Sequence, residues 1–355
     1  MSFLAHVPLL GRLVAGADDA PQAIELPPVE VHNVETDAEK RARCLKHLIK
    51  ANHVNHAIVY HNLQFDNHAA QILCSAYLLG ASENQLHSLS SRRTGRTFSA
   101  TSVGHPLIHL GYAYEMNAKE IAIEALALSC VQYNYLHKYL DEQKYTRPAP
   151  FSSTSPVDIL DRMASDARFD GLFAAPGFDN IDLLFGKHED LVLEYWNAWA
   201  VAADDASEDP VRPFQQSQEA AVALLVATVK PGTHAYNFFT VHLLTTSHAV
   251  RILLPVLPAR FHVALVREWW LLAVAVYAAM GRPRIDEDNV QPVPQGRGWA
   301  HVEHEALHSR HASDAHYVKA IRAIKEAART WGDVHERYLA AAVTFVAGFE
   351  GWVFD

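Results

Sequence analysis

From Asp37 onward, apolar residues return every three or four positions, and almost nowhere do they alternate. That spacing lays one apolar stripe along a helix, whereas a half-buried strand needs strict alternation. It predicts helices over 38–51, 67–79, 118–140, 191–203, 215–229, 237–254, 261–280, 314–329 and 334–349. Gly80 is placed to stop the second of these. No series of alternating runs joined by tight glycine turns appears. The expected fold is therefore mostly α, a single-domain multi-helix bundle over 38–355. A Pro-rich stretch over 1–37 reads as an extended N-terminal arm. The segments 145–156 and 281–298 are long connections rich in breakers, but composition does not change across either, so no boundary is placed there.

Composition excludes several classes. The chain has 355 residues, half of them hydrophobic, which is ample for a core. A formal net charge of −10 makes nucleic acid a poor partner, because phosphate binding needs a basic footprint. Three scattered cysteines, Cys44, Cys74 and Cys130, form no CxxC pair. A disulfide framework and a thiolate zinc site are disfavoured, and a reducing, cytoplasmic setting is expected. The apolar first sixteen residues lack a basic start and a cleavage site, so no secretory signal is expected. No run reads as a membrane span; the best, Trp269 to Met280, carries flanking charges and proline. There is no GxGxxG after a strand, no P-loop and no GxSxG.

Histidine is the outlier, with 22 present. Most must be ordinary surface residues, and a few sit where surface is not expected. His68 opens an apolar helical run, with His61 just before it. His109 lies between Ile108 and Leu110 in a segment free of charge until Glu115; such a ring needs a partner, either a backbone carbonyl or a metal. Tyr112, one turn on, is placed to donate a proton. His242 shares a helical face with Phe238, Thr245, Thr246 and Ala249, which is either a cavity wall or a close helix contact. His248 points elsewhere and is kept in reserve. His316 follows a capping Ser313 or Asp314 and lies one turn before Lys319. Most lysines so placed are solvated. A buried one is driven toward the neutral amine, which can take up carbon dioxide as a carbamate and offer a metal an anionic oxygen.

One pattern competes. His304-Glu305-Ala306-Leu307-His308 matches H-E-x-x-H, in which two histidines bind zinc and the glutamate acts as base. The segment is strongly polar, and a His-rich chain meets this pattern easily by chance. The longer form would want glycine where His311 stands and histidine where Asp314 stands.

Taken together, the segments resemble the questin oxidase-like family. The matching pieces are His61-Asn62 with Asn67-His68, Ala76 to Ala81, Leu107 to Ala113 with Glu115, Phe238-Phe239 with His242 to Thr245, and Asp314 to His316 with Lys319 and Arg322-Ala323. The resemblance implies a helical oxygenase that opens a ring of an aromatic polyketide or quinone with a Baeyer–Villiger-like outcome, in secondary metabolism. It implies a non-heme iron centre with His68, His109, His242 and His316 as ligands and Lys319 as a fifth; beside them, the residues themselves keep Tyr112 as the candidate catalytic proton donor and His61 and His248 as candidates around the ligands or the substrate. Its partners would be a small aromatic substrate and O2, with NADPH a candidate diffusible reductant that no motif supports. Two departures stand out: the family often has histidine where Asp66 stands, and another close to Gln71. Phe238, Phe239, Trp196 and Trp199 are candidates to wall a flat substrate, or simply core. Two rival readings remain, a zinc hydrolase using His304, Glu305 and His308, and a non-catalytic helical scaffold.

Overall fold

A computed structural model describes residues 23–60, 65–91, 104–201 and 210–354. Among these residues lie fifteen α-helices and two pairs of two-residue strands, so the fold is mostly α.

The helix Phe238–Leu253 runs through the middle, with all of its residues buried. A helix buried around its whole circumference is covered by other elements on every side. Its neighbours include His105–Met116, Val211–Val226, His262–Ala279 and Ala315–Trp331. Asn237 starts it, its side chain accepting from the backbone N–H groups of Phe239 and Thr240. Asp314 starts Ala315–Trp331 in the same way, accepting from His316 and Tyr317, and Gly332 at φ +77° follows its end.

The helices His105–Met116 and Phe238–Leu253 approach unusually closely. A Cβ on Gly104 would fall 2.1 Å from Thr246 Oγ1, and one on Gly111 would fall 3.2 Å from the Ala249 backbone. Gly104 also takes φ +76°, a left-handed conformation in which a side chain is strained. Pro106, whose fixed φ suits a first helical turn, follows at once.

Several helices differ from the apolar stripe. The 118–140 prediction breaks after Val131, because Asn134 turns its side chain onto the Leu136 N–H and interrupts the helical ladder. His105–Met116, Glu83–Ser91, Pro156–Ala164, Asn180–Lys187 and Trp299–His308 were not expected. They are short, and tertiary packing decides them more than propensity does. The 281–298 connection is irregular apart from one 3₁₀ turn at Glu287–Asn289.

Residues 23–33 of the expected arm form no regular structure, yet they are docked. The Ile24 N–H donates to His262 Nδ1 at 3.0 Å, the His32 N–H donates to the Glu115 carbonyl at 2.7 Å, and Ile24 and Val34 are buried. Residues 1–22 lie outside the described residues. The expectation that no segment passes as a membrane span needs one correction. Ala259–Ala279 is long and apolar enough by composition, but 72% of its window is buried inside the fold, as in a core helix.

Replacing Gly104 with alanine should cost roughly 2–4 kcal/mol, from left-handed strain plus the clash with Thr246. Chemical denaturation of Gly104→Ala checks this. Adding Thr246→Ala should recover the part due to the clash.

Candidate metal centre

Four imidazoles from four distant stretches of chain meet inside this bundle. His68 follows the short antiparallel pair Val59–Tyr60 and Phe65–Asp66, fixed there by the Asn67 N–H donating to the Ile58 carbonyl at 2.7 Å. His105 is the first residue of its helix, His242 lies in the central helix, and His316 sits just inside the Asp314 cap. All four are buried. The Nε2 atoms of His68 and His105 are 3.0 Å apart, those of His105 and His242 3.2 Å, and those of His242 and His316 3.1 Å. The His68 and His316 rings close the circle with centroids 4.7 Å apart, and the four ligand atoms all lie within 4.8 Å of one another.

The tautomers follow from the acceptors behind the rings. His68 Nδ1 is 2.7 Å from the Asp66 carbonyl, and His242 Nδ1 is 2.8 Å from the Phe238 carbonyl. A carbonyl can only accept, so both rings carry their proton on Nδ1. His105 Nδ1 lies 2.8 Å from Asp66 Oδ2, an ion-pair contact without hydrogen-bond geometry in which the anionic oxygen still favours the proton on Nδ1. Each neutral ring therefore presents a bare Nε2 lone pair to the others. Protonation is opposed: burial, chiefly, holds all four rings below the ordinary histidine range, and for His68, His242 and His316 the Lys319 charge adds to it.

Converging lone pairs in a dry interior repel unless a cation sits among them. Imidazole suits iron, copper, nickel and zinc. Metal–nitrogen bonds of about 2.1 Å put neighbouring ligands near 3.0 Å apart when they meet at a right angle. The spacings between neighbouring nitrogens match that. The donor set thus fits a single divalent transition-metal ion.

Asp66 supports two of the rings, its carbonyl taking His68 and its carboxylate facing His105. Gln132 Nε2 donates to both carboxylate oxygens, at 2.9 and 3.0 Å. Burial would push the Asp66 carboxyl up, but His105 and Gln132 prevail and hold it below its usual range. His316 has no acceptor so near behind its ring. Its Nδ1 is buried without a hydrogen-bond partner, 3.8 Å from Asp314 Oδ1.

The expected ligand set needs one change. His105, not His109, is the fourth imidazole of the cluster. The unexpected helix explains this: it begins at His105, so the two rings stand one turn apart, and the helix start faces His68 and His242. His109 instead anchors Lys319. Lys319 Nζ donates to Gln71 Oε1 at 2.9 Å, and Gln71 Nε2 lies 3.0 Å from His109 Nδ1. His109 Nδ1 also lies 3.2 Å from the His105 carbonyl, and its Nε2 has no hydrogen-bond partner. Lys319 is buried, and burial lowers its ammonium to about 7 against weaker opposition from Asp314 and Asp66.

The remaining candidates are dispersed. Tyr112 points its hydroxyl at Ser75 Oγ, 2.5 Å away, with the Arg322 guanidinium over its ring and Arg322 paired with Glu115. His248 is buried, with neither ring nitrogen hydrogen-bonded, and lies within the influence of Arg322 and Arg251 rather than in the cluster. His61 lies outside the described residues. His304 and His308 are exposed and stacked 4.3 Å apart, with His308 Nδ1 donating to the His304 carbonyl, and no third ligand joins them among the described residues. Trp196 and Trp199 are core. The Trp196 indole is tied to the Arg267 carbonyl, and Trp199 packs 5.3 Å from Trp270. Phe238 does lie at the centre, its ring 4.8 Å from His242 and 4.6 Å from His316.

A mostly α bundle enclosing four converging imidazoles defines a protein with a candidate histidine metal centre. Compared with known families, residues 94–324 match the questin oxidase-like family, well over half of the chain, and the chain belongs to that family. No curated protein matches it. The family marks the chain as an oxidoreductase, and the cluster is compatible with metal binding. His105, His242 and His316 fall within the matched span, whereas His68 precedes it.

Loss of the Asp66 charge should loosen the centre. Asp66→Asn is expected to weaken cobalt(II) binding by roughly 10–100-fold. Titration of the cobalt absorption band measures this.

Proposed function

We propose that the chain is a non-heme iron oxygenase that opens a ring of an aromatic polyketide or quinone. The observation that carries this reading is the ring of Nε2 atoms, three of them unprotonated, in the interior of a questin oxidase-like chain. Zinc undergoes no redox chemistry of its own, so activation of O2 by this donor set calls for a redox-active metal, and imidazoles suit iron. Iron held by His68, His105, His242 and His316 would supply the activation of O2.

The protein's own part is to hold, exclude and orient. Asp66 and the Phe238 carbonyl lock three rings with their lone pairs inward. Burial keeps water from the reacting atoms. Phe238 offers a flat apolar face beside two of the ligands, suited to a planar substrate. Lys319 offers a near-neutral amine. Its nitrogen lone pair can bond to the carbon of CO2 while one N–H proton leaves to solvent, producing a carbamate whose anionic oxygen would be a fifth ligand. Tyr112 holds a proton next to Ser75, on the same helix as His105, and is the candidate donor to the reacting substrate.

Elemental analysis after anaerobic loading with iron(II) tests the reading. Wild-type protein and His304→Ala should each hold one iron per chain, and His105→Ala should hold little. The loaded wild type should consume O2 only with a hydroxylated anthraquinone or related quinone present. Iron retained by His105→Ala but lost from His304→Ala would refute the assignment. For Lys319, protein equilibrated with ¹³C-bicarbonate should show a carbamate carbon resonance that Lys319→Met lacks.

A further inference from the structure

The centre has two unlike sides. One is the polar floor formed by Lys319, Gln71 and His109. The other is Phe238, whose ring covers His242 and His316 and is itself only 2% exposed. Two rings near the end of the described residues, Trp352 and Phe354, pack against Phe238. The Phe354 ring lies 4.8 Å from Phe238 at 33°, and 6.4 Å from Phe239. Trp352 stands 6.3 Å from Phe238 and 6.2 Å from His316. Phe354 is 42% exposed, so a large aromatic side chain spans from solvent to the residue touching two ligands.

The backbone pairing of this segment is short. Trp352–Val353 pairs with Tyr236–Asn237 over two residues only, too short to be stable alone. The Trp352 indole N–H donates to Asp314 Oδ2 at 2.8 Å, and its ring packs on Phe349. Gly351, at φ +146° with open space where a Cβ would be, supplies a free pivot immediately before the strand. Every ligand ring is buried, so a substrate ring reaches the centre only if something moves. A segment paired over two residues and next to a free pivot opens before the helices around it.

We propose that residues 351–354 are a displaceable cover on the centre, and that Phe354 occupies the place against Phe238 that a planar aromatic ring of the substrate takes. The exchange conserves the stacking that each ring makes with Phe238. It also couples the cover to the ligands. Trp352 hydrogen-bonds the same Asp314 that caps the His316 helix and faces His316 Nδ1, so lifting the cover alters the support of one ligand. The inference rests on the aromatic-substrate reading above for its purpose.

Calorimetric titration with anthraquinone-sulfonate tests it on the cobalt-loaded chain. A cover closed about nine-tenths of the time weakens apparent binding roughly tenfold, so Phe354→Ala should bind the probe roughly tenfold more tightly than wild type. Trp352→Phe, which keeps an aromatic ring but removes the indole N–H, should bind more tightly by a smaller factor. Phe354→Trp should bind no better than wild type. Cobalt affinity should stay within about twofold in Phe354→Ala, since Phe354 touches no ligand ring. Unchanged or weaker probe binding in Phe354→Ala, or no binding by any variant, overturns the proposal. Tighter binding of the probe by a chain that fails to hold cobalt would instead sink the metal reading and leave the cover standing.

Discussion

Three imidazole nitrogens, each stripped of its proton by what lies behind the ring, point at one another in a space closed to water. Nothing else in the molecule is as demanding. A buried polar atom without a partner costs about 1–3 kcal/mol, and several at one point cost more because they repel. The surrounding architecture follows from tolerating that arrangement. The two glycines let the His105 helix press against the central helix, the Asp66 turn reaches two rings at once, and the Asp314 cap sets the first turn of the helix that carries His316.

The fold was legible because it rests on periodicity. Apolar spacing of three and four places Phe238–Leu253, His262–Ala279 and Ala315–Trp331 within a residue or two of their positions. His242 and His316 were legible for the same reason, since helical phase says which face an imidazole occupies. His68 was legible as the residue opening an apolar run.

His105 was not legible, and the cause is physical. Its helix is short and carries little amphipathic contrast, because both faces are buried, so no stripe announces it. Without that helix the choice between His105 and His109 had no geometric basis. Gly104, His105 and Pro106 together held the missing signal: proline favours the first turn, which would have put the helix start at 105 and both histidines on one face. Asp66 and Gln71 were noticed only as departures from the family pattern. Their work as supports depends on contacts to residues far along the chain, Gln132 for one and Lys319 for the other. Such pairings leave no local trace.

The origin of the four rings in widely separated segments carries one more implication. His68 comes from near the start of the helical region and His316 from near its end, so no fragment of the chain owns the site. An ion held there would meet all four rings together only in the folded chain, so its binding free energy would add to that of the whole fold rather than to one hairpin or helix. With a metal held there, the melting point would track the free metal concentration, and stability and site occupancy would rise and fall together.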